Sequence, residues 1–121
     1  MNEFKIKNGV IVKNKVLVDN NTLTTTSINP TVISSEPNTK YASGKYLIQA
    51  TRGSLRQITE LLVVHDGTTA YATEYGTILT DPNTPLFSTE VDINSGNMRV
   101  LVTSTSADST SFVASFTLIG V

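Results

Sequence analysis

The run YLIQATRGSLRQITELLVVHDGTTAYATEY, residues 46–75, sets the architecture of this chain. Within and just beyond it we predict a β-hairpin, with one strand over Ile58 to Val64 and the next over Thr68 to Leu79. The tripeptide His65-Asp66-Gly67 lies between them, and its Gly can adopt the positive φ of a type I′ turn or of a type I turn with a G1 bulge. The sequence leaves two registers open, with a loop of two or of three residues.

Both predicted strands carry apolar side chains on both faces. Strand geometry places Tyr71 and Tyr75 on one face of the second strand and Ile78 on the other, while the run 61–64 alternates between the two faces of the first. A strand of this kind is either central in a sandwich or covers a partner chain. The sequence does not decide between these alternatives.

Composition favours an all-β fold. Thr, Ser and Asn fill a third of the 121 positions, and charged residues only 16%. Thr and Val suit a pleated surface, while Asn and Gly supply turns. Residues 54–62 have some helical spacing, but they run directly into the hairpin, so we predict strand there. Short strands separated by turn signals indicate an antiparallel sandwich or barrel. Of the two we predict an antiparallel β-sandwich, jelly-roll-like, with an extended N-terminal arm.

Turn signals divide the rest of the chain. Asn8-Gly9 is a preferred pair for a type I′ turn and predicts an N-terminal hairpin. Asp19 to Ser27 has only Leu23 to bury, so we predict a linker or an arm there. The predicted organisation is an N-terminal hairpin and arm over residues 1–44 and a β-sandwich body over residues 45–121. Further predicted strands cover residues 4–7, 10–12, 16–18, 31–34, 46–51, 87–93, 98–103 and 110–119, with a turn at Gly96.

The charges are unevenly distributed along the chain. Residues 1–45 hold six lysines against three acids, whereas residues 46–121 hold three arginines against seven acids. A solvated surface accounts for this pattern, and so does a basic N-terminal segment that lies on an acidic neighbouring copy. No apolar run is long enough for a membrane anchor and no signal segment is recognisable, so we expect a soluble protein. The chain has no cysteine, which excludes disulfides and cysteine-based zinc sites.

No catalytic pattern emerges from the sequence. His65 has no diagnostic partner nearby and is interpreted as a turn residue, and no serine lies in a nucleophile elbow. The acids near predicted loops do not follow a calcium-loop pattern. The four tyrosines are compatible with a stacking surface for sugar, although tyrosines at strand spacing are more often half-buried interface residues. We therefore expect no enzyme, no metal and no other cofactor, and the acidic body argues against nucleic acid.

The sequence also resembles a known family. The strings KYLIQATRGSLRQITELLVVHDGTTAYATEYGTI and LFSTEVDINSGNMRVLVTSTSADSTSFVASFTLIG are similar to a β-sandwich module in structural proteins of tailed bacteriophages, especially T4-like and marine cyanophage virions. The matching positions are Lys45-Tyr46, Gln49, Glu60, Val64 to Tyr71, Thr73 to Tyr75 and Arg99 to Ser106. The opening FKIKNGVIV resembles the start of many phage fibre and virion proteins. Ser104 departs from the family, which often has Pro there.

The resemblance implies a virion structural protein that assembles in the host cytoplasm. We expect a capsid decoration or cement protein bound to the shell and to neighbouring copies, with a tail or neck component (a fibre base or adaptor) and a module for host surface glycans as alternatives. Expected partners are the major capsid protein or tail and neck proteins, and further copies of the chain, with no membrane. The hypothesis assigns the interface to Phe4, Ile6, Val10, Val12, Leu17, Leu23, Tyr71 and Tyr75, and the turns to Asn8, Gly9, Asp66, Gly67 and Gly96.

Overall fold

A computed structural model describes residues 8–121 of the chain. Those residues form nine β-strands joined by turns and short loops. The strands are β1 (Val10–Val12), β2 (Val16–Thr25), β3 (Thr31–Pro37), β4 (Tyr41–Arg52), β5 (Leu55–His65), β6 (Ala70–Leu79), β7 (Phe87–Asn94), β8 (Asn97–Ser104) and β9 (Thr110–Gly120). Residues 8–121 contain no helix long and apolar enough to cross a membrane.

The strands form two antiparallel sheets. One sheet has six strands in the order β1-β2-β9-β4-β5-β6, and the other has three in the order β3-β8-β7. Every paired neighbour runs antiparallel. The predicted all-β, antiparallel sandwich is therefore confirmed.

The core lies between the sheets and follows the predicted alternation. β4 buries Tyr46, Ile48 and Ala50, while the residues between them face outward. The rings of Tyr46 and Phe116 lie 5.0 Å apart, and those of Phe87 and Phe112 meet edge to face at 5.3 Å. The remaining core positions on the last two strands are Met98, Val100 and Val102 on β8 and Ala114 and Leu118 on β9.

The predicted hairpin is formed by β5 and β6, but its loop differs from both registers considered. His65 pairs with Ala70, so the loop holds four residues, 66–69. The Asp66 carboxylate accepts hydrogen bonds from the backbone N–H groups of Thr68 and Thr69, at 2.9 and 2.8 Å. Gly67 has a φ of +95°, as predicted for the turn. The side chain of Asp66 thus closes a longer loop than the Asp-Gly pair alone indicates.

A β-bulge changes which face part of β6 presents. Leu61 pairs with Glu74 and Glu60 pairs with Gly76, which leaves Tyr75 as the extra residue. Beyond the bulge Ile78 pairs with Ile58 and lies on the same side of the sheet as Tyr71. The prediction that Ile78 and Tyr71 lie on opposite faces is therefore wrong, because period-two spacing does not survive an inserted residue.

The segment predicted as a linker or arm is largely a strand. Residues 19–25 are the second half of β2, which pairs with β9 from Val16 to Thr25. The linker prediction is wrong there, because β9 supplies backbone partners that the local sequence does not reveal. The proposed boundary at residues 44 and 45 falls inside β4. A division into two folding units at that point stays a prediction.

The turns before β2 and between β7 and β8 contain residues with a positive φ. Gly96 has a φ of +80° in the turn that pairs Asn94 with Asn97, as predicted. Gly9 also has a positive φ, +78°, but the predicted hairpin partner at residues 4–7 lies outside the described residues. The observed turn of β1 is at Lys13 and Asn14, with φ values of 49° and 58°.

Candidate interaction surface

The residues predicted for an interface divide into three groups. Phe4 and Ile6 lie outside the described residues. Leu17 is buried in the core and Leu23 packs against it, because both occupy inward positions of β2. Their assignment to an interface is therefore corrected. The others, Val10, Val12, Tyr71 and Tyr75, are between 37% and 55% exposed.

These exposed residues belong to one continuous surface. The strand register aligns residues from all six strands of the larger sheet into lateral rows on the side away from the core. We call this surface the outer face. Its first row is Val12, Val16, Ile119, Ser43, Val64 and Tyr71, and its second row is Val10, Val18, Thr117, Lys45, Leu62 and Thr73.

The outer face is unusually apolar for a surface in contact with water. In the first row Ile119, Val64 and Tyr71 are each about half exposed, at 53%, 49% and 55%. Leu62 in the second row is 47% exposed. Single exposed apolar residues are ordinary, but a contiguous patch that crosses a whole sheet marks an interaction site.

A groove of about 710 Å³ runs along part of the outer face. Its floor includes the small side chain of Ser43 and the backbone of Gly44, which leave a recess beside the larger Val64, Tyr71 and Ile119. A Cβ atom at Gly44 itself would clash with the Leu118 side chain on the core side and lie 3.0 Å from the Thr117 carbonyl oxygen. Glycine therefore suits the close packing of β4 on β9 at this position.

The charged residues beside the groove neutralise each other. Lys45 Nζ lies 2.8 Å from Glu60 Oε1. Hydrogen bonding to Glu60, and then to Tyr75, raises the pKa of Lys45, while bonding to Lys45, and then to Tyr75, lowers the pKa of Glu60. Both groups are charged at neutral pH, and the pair contributes no net charge to the outer face.

Two carboxylates, those of Asp19 on β2 and Glu36 on β3, lie at the β2–β3 side of the sandwich. Burial raises the pKa of Glu36, the nearby charge of Asp19 raises it further, and Lys40 opposes the shift. A small cavity of about 220 Å³ lies at Asp19 and Gly9, on the edge of the sheet. Within residues 8–121 no three His, Cys, Asp or Glu side chains are close enough together to hold a metal ion.

His65 has a structural position in the hairpin. Gly67 N donates to His65 Nδ1 at 2.9 Å, so Nε2 carries the hydrogen that is donated to the Tyr41 carbonyl at 2.6 Å. The ring thus ties the β5–β6 loop to the start of β4. Both ring nitrogens are engaged with the backbone. His65 is the last residue of β5 and pairs with Ala70, so its interpretation as a turn residue is corrected.

Two polar side chains that the sequence did not single out hold the ends of the strands. Gln57 is buried, accepts from Leu86 N at 2.7 Å and donates to the Phe87 carbonyl at 3.3 Å. Arg52 donates to the Leu86 carbonyl, and also to the hydroxyls of Ser104, Thr105 and Thr110. No motif marks either residue, because the partners named here lie between 29 and 58 positions away.

Comparison with solved structures identifies three phage tailspikes of similar fold. The tailspike of Acinetobacter phage vB_ApiP_P1 is 20% identical, with a TM-score of 0.50 over 100% of this chain. The tailspike gp49 of Acinetobacter baumannii bacteriophage Fri1, a capsular polysaccharide depolymerase, is 13% identical, with a TM-score of 0.51 over 93%. The tailspike of Acinetobacter baumannii phage AM24 is 7% identical, with a TM-score of 0.52 over 90%.

At these identities the likeness establishes the fold alone. The chain corresponds to only 25%, 21% and 27% of the three tailspikes, about a quarter of each. No protein-family model matches the chain, and no curated protein matches it significantly. The resemblance to T4-like and marine cyanophage proteins stays an interpretation of the sequence.

Proposed function

We propose that this chain is a non-catalytic structural module of a tailed-phage particle, located on the tail, which works by packing its outer face against another protein surface. The observation that carries the proposal is the contiguous apolar surface across all six strands. Such a surface is costly in water unless it is covered, and covering it yields about 25 cal/mol per Å² of apolar area. The sandwich beneath it supplies a rigid support.

The similarity of fold to three tailspikes supports the tail over the shell. Each likeness covers at least 90% of this chain. All three of these structures are tailspikes. We therefore rank a tail location first and capsid decoration second, which reverses the order that the sequence favoured. Virion proteins of the tail, and further copies of the chain, are the partners that this proposal implies.

The proposal assigns no depolymerase activity to this chain, although gp49 of Fri1 has that activity. Glycoside hydrolysis generally requires two carboxyl groups that flank the bond, one of them protonated at the working pH. The groove has Glu60 beside it, but Lys45 lowers the pKa of Glu60 and keeps it ionised. Glu60 is thus unsuited to the role of a general acid.

A glycan-binding role ranks below surface packing for a related reason. Sugar hydroxyls need several convergent polar groups for recognition. The groove is lined mainly by apolar atoms, and Lys45 is its one charged lining residue. Tyr71, which is 55% exposed beside the groove, is the residue that a sugar would stack on.

Antibody labelling of intact particles tests the proposed location. Gold-labelled antibody against the chain, viewed by electron microscopy, should mark the tail end of the particle, and quantitative mass spectrometry should give about a dozen copies per particle. Label over the whole head, with hundreds of copies, would contradict the tail location and favour capsid decoration. Absence of the chain from purified particles would contradict the virion role altogether.

A further inference from the structure

We propose that the outer face is covered by the outer face of a second copy of this chain. This inference rests on the proposed function and makes it more specific, because it names the surface that covers the outer face. It concerns four lateral rows of the six-stranded sheet. Two rows are defined above. The third row is Asn20, Ser115, Leu47, Glu60 and Gly76, and the fourth row is Thr22, Val113, Gln49, Ile58 and Ile78.

The size of the outer face fits a stable dimer. Two of the rows cross all six strands and the other two cross five, because β1 is only three residues long, and at about 4.8 Å between strands and about 6.8 Å between rows they cover roughly 700 Å². A standard specific interface buries about 800 Å² on each partner. One copy of the outer face therefore provides the area that a stable interface needs, without any contribution from the three-stranded sheet.

The charge of the outer face also fits an identical partner. The only charged residues in the four rows are Lys45 and Glu60, and they are paired with each other at 2.8 Å. A face with a net charge would repel its own copy and would require a partner of opposite sign. The four rows have no net charge, and the nearest charge on this side of the sheet is Arg56 in the following row, so two copies can pack these rows without repulsion.

The shape of the outer face is self-complementary, because a recess and a projecting side chain lie in the same row. Ser43 is the low point of the first row, between the larger Ile119 and Val64, and it opens into the groove. Tyr71 stands at the end of the same row and is 55% exposed. In an isologous dimer each patch meets its own counterpart, so a projecting Tyr71 of one copy can enter the groove of the other.

Sedimentation equilibrium of the full 121-residue chain tests this inference. Between about 1 and about 500 µM, the wild-type mass should rise above the 13.0 kDa of one copy toward a dimer. Val64→Lys places a lysine beside the groove, in the first row of the outer face of each copy, and should weaken association by about 100-fold or more, because both charges lose water. Val32→Lys is the matched control, because Val32 is on the three-stranded sheet and 37% exposed, and should associate like the wild type.

Tyr71→Lys provides a second variant that should weaken association, and circular dichroism confirms that each variant is folded.

The possible results separate this inference from the proposed function. A wild-type chain that stays at 13.0 kDa throughout would overturn the inference, as would a Val64→Lys chain that dimerises normally. A monomer that binds capsular oligosaccharide through Tyr71 would overturn it in favour of a glycan. None of these results changes where antibody marks the particle, which tests the proposed function independently.

Discussion

The hydroxyl of Tyr46 lies 2.8 Å from Ser34 Oγ, in a hydrogen bond that joins the two sheets of the sandwich through the core. Tyr46 belongs to β4 of the six-stranded sheet, Ser34 to β3 of the three-stranded sheet, and both side chains are buried. A buried polar pair of this kind is favourable only when both partners are present. It therefore fixes how one layer lies on the other.

Removing this bond should destabilise the fold and change its response to alkali. Tyr46→Phe should lower the free energy of unfolding by about 1–2 kcal/mol at pH 7, because Ser34 loses its partner. Burial raises the pKa of Tyr46 from 10.0 to about 12, so the stability that its proton provides is complete below pH 10 and is lost as the pH rises to about 12. Urea denaturation at pH 7 to 12 should show a loss of roughly 2–3 kcal/mol in the wild type and a flatter decline in Tyr46→Phe. Equal slopes would contradict this account.

The buried amide of Gln57 should contribute more to the stability of the fold than its neighbours in the sequence indicate. Gln57→Leu removes the acceptor for Leu86 N and the donor to the Phe87 carbonyl, so we expect a loss of about 2–3 kcal/mol. Ser88→Val is the control at an exposed position of β7, on the three-stranded sheet, and should change stability by less than about 0.5 kcal/mol. Similar urea midpoints for the two variants would show that the Gln57 bonds are not important for stability.

The hairpin loop provides a test of backbone strain without a clash. Gly67 has a φ of +95° and open space around the position of a Cβ atom, so Gly67→Val should cost about 1–3 kcal/mol through strain alone. Gly76 lacks a positive φ, and a Cβ there would make only ordinary contact with Glu60 at 3.9 Å. Gly76→Ala should therefore be close to neutral in thermal unfolding. An unchanged melting temperature for Gly67→Val would show that the loop has another conformation.

The raised pKa of Glu36 predicts a stabilising substitution. Burial, with Asp19 as the second cause, makes the ionised form of Glu36 unfavourable in the folded chain, so Glu36→Gln should raise the melting temperature at pH 7. The gain should shrink as the pH falls through the raised pKa and disappear below 4.5, where the carboxyl group is protonated in both folded and unfolded chains. Asp108→Asn, at an exposed loop position, should show no such gain. A benefit of Glu36→Gln that is independent of pH would rule out this explanation.

Much of the fold was predictable because local signals and the final packing agree. The alternation of Phe112, Ala114, Phe116 and Leu118 gave the buried face of β9 directly, since strand geometry and burial have the same period. The position of the turn at Gly96 was likewise encoded locally. The loop at Asp66 was located correctly but given the wrong length, because a side-chain cap replaced the expected tight turn.

The features that could not be predicted depend on distant residues. The polar run at residues 19–25 becomes a strand only because β9, about 90 positions later, pairs with it. The bulge at Tyr75 and the bonds of Gln57 likewise depend on the position of the neighbouring strands. The candidate surface was found in part: Val10, Val12, Tyr71 and Tyr75 were predicted, whereas Leu62, Val64 and Ile119 emerged only when the register aligned them in rows. Leu17 was misassigned because an apolar residue in an apparent arm looks available for contact.

Thiol reactivity tests the central claim, that the outer face is covered in the assembled protein, most directly. The chain has no cysteine, so Val64→Cys and Val32→Cys each introduce a single reporter on one of the two sheets. Val64 is 49% exposed in one copy and Val32 is 37% exposed, so a free monomer should alkylate at residue 64 at least as fast as at residue 32. We predict the reverse order in the native protein at high concentration and equal rates in urea. Faster alkylation at residue 64 than at residue 32 under native conditions would contradict the claim.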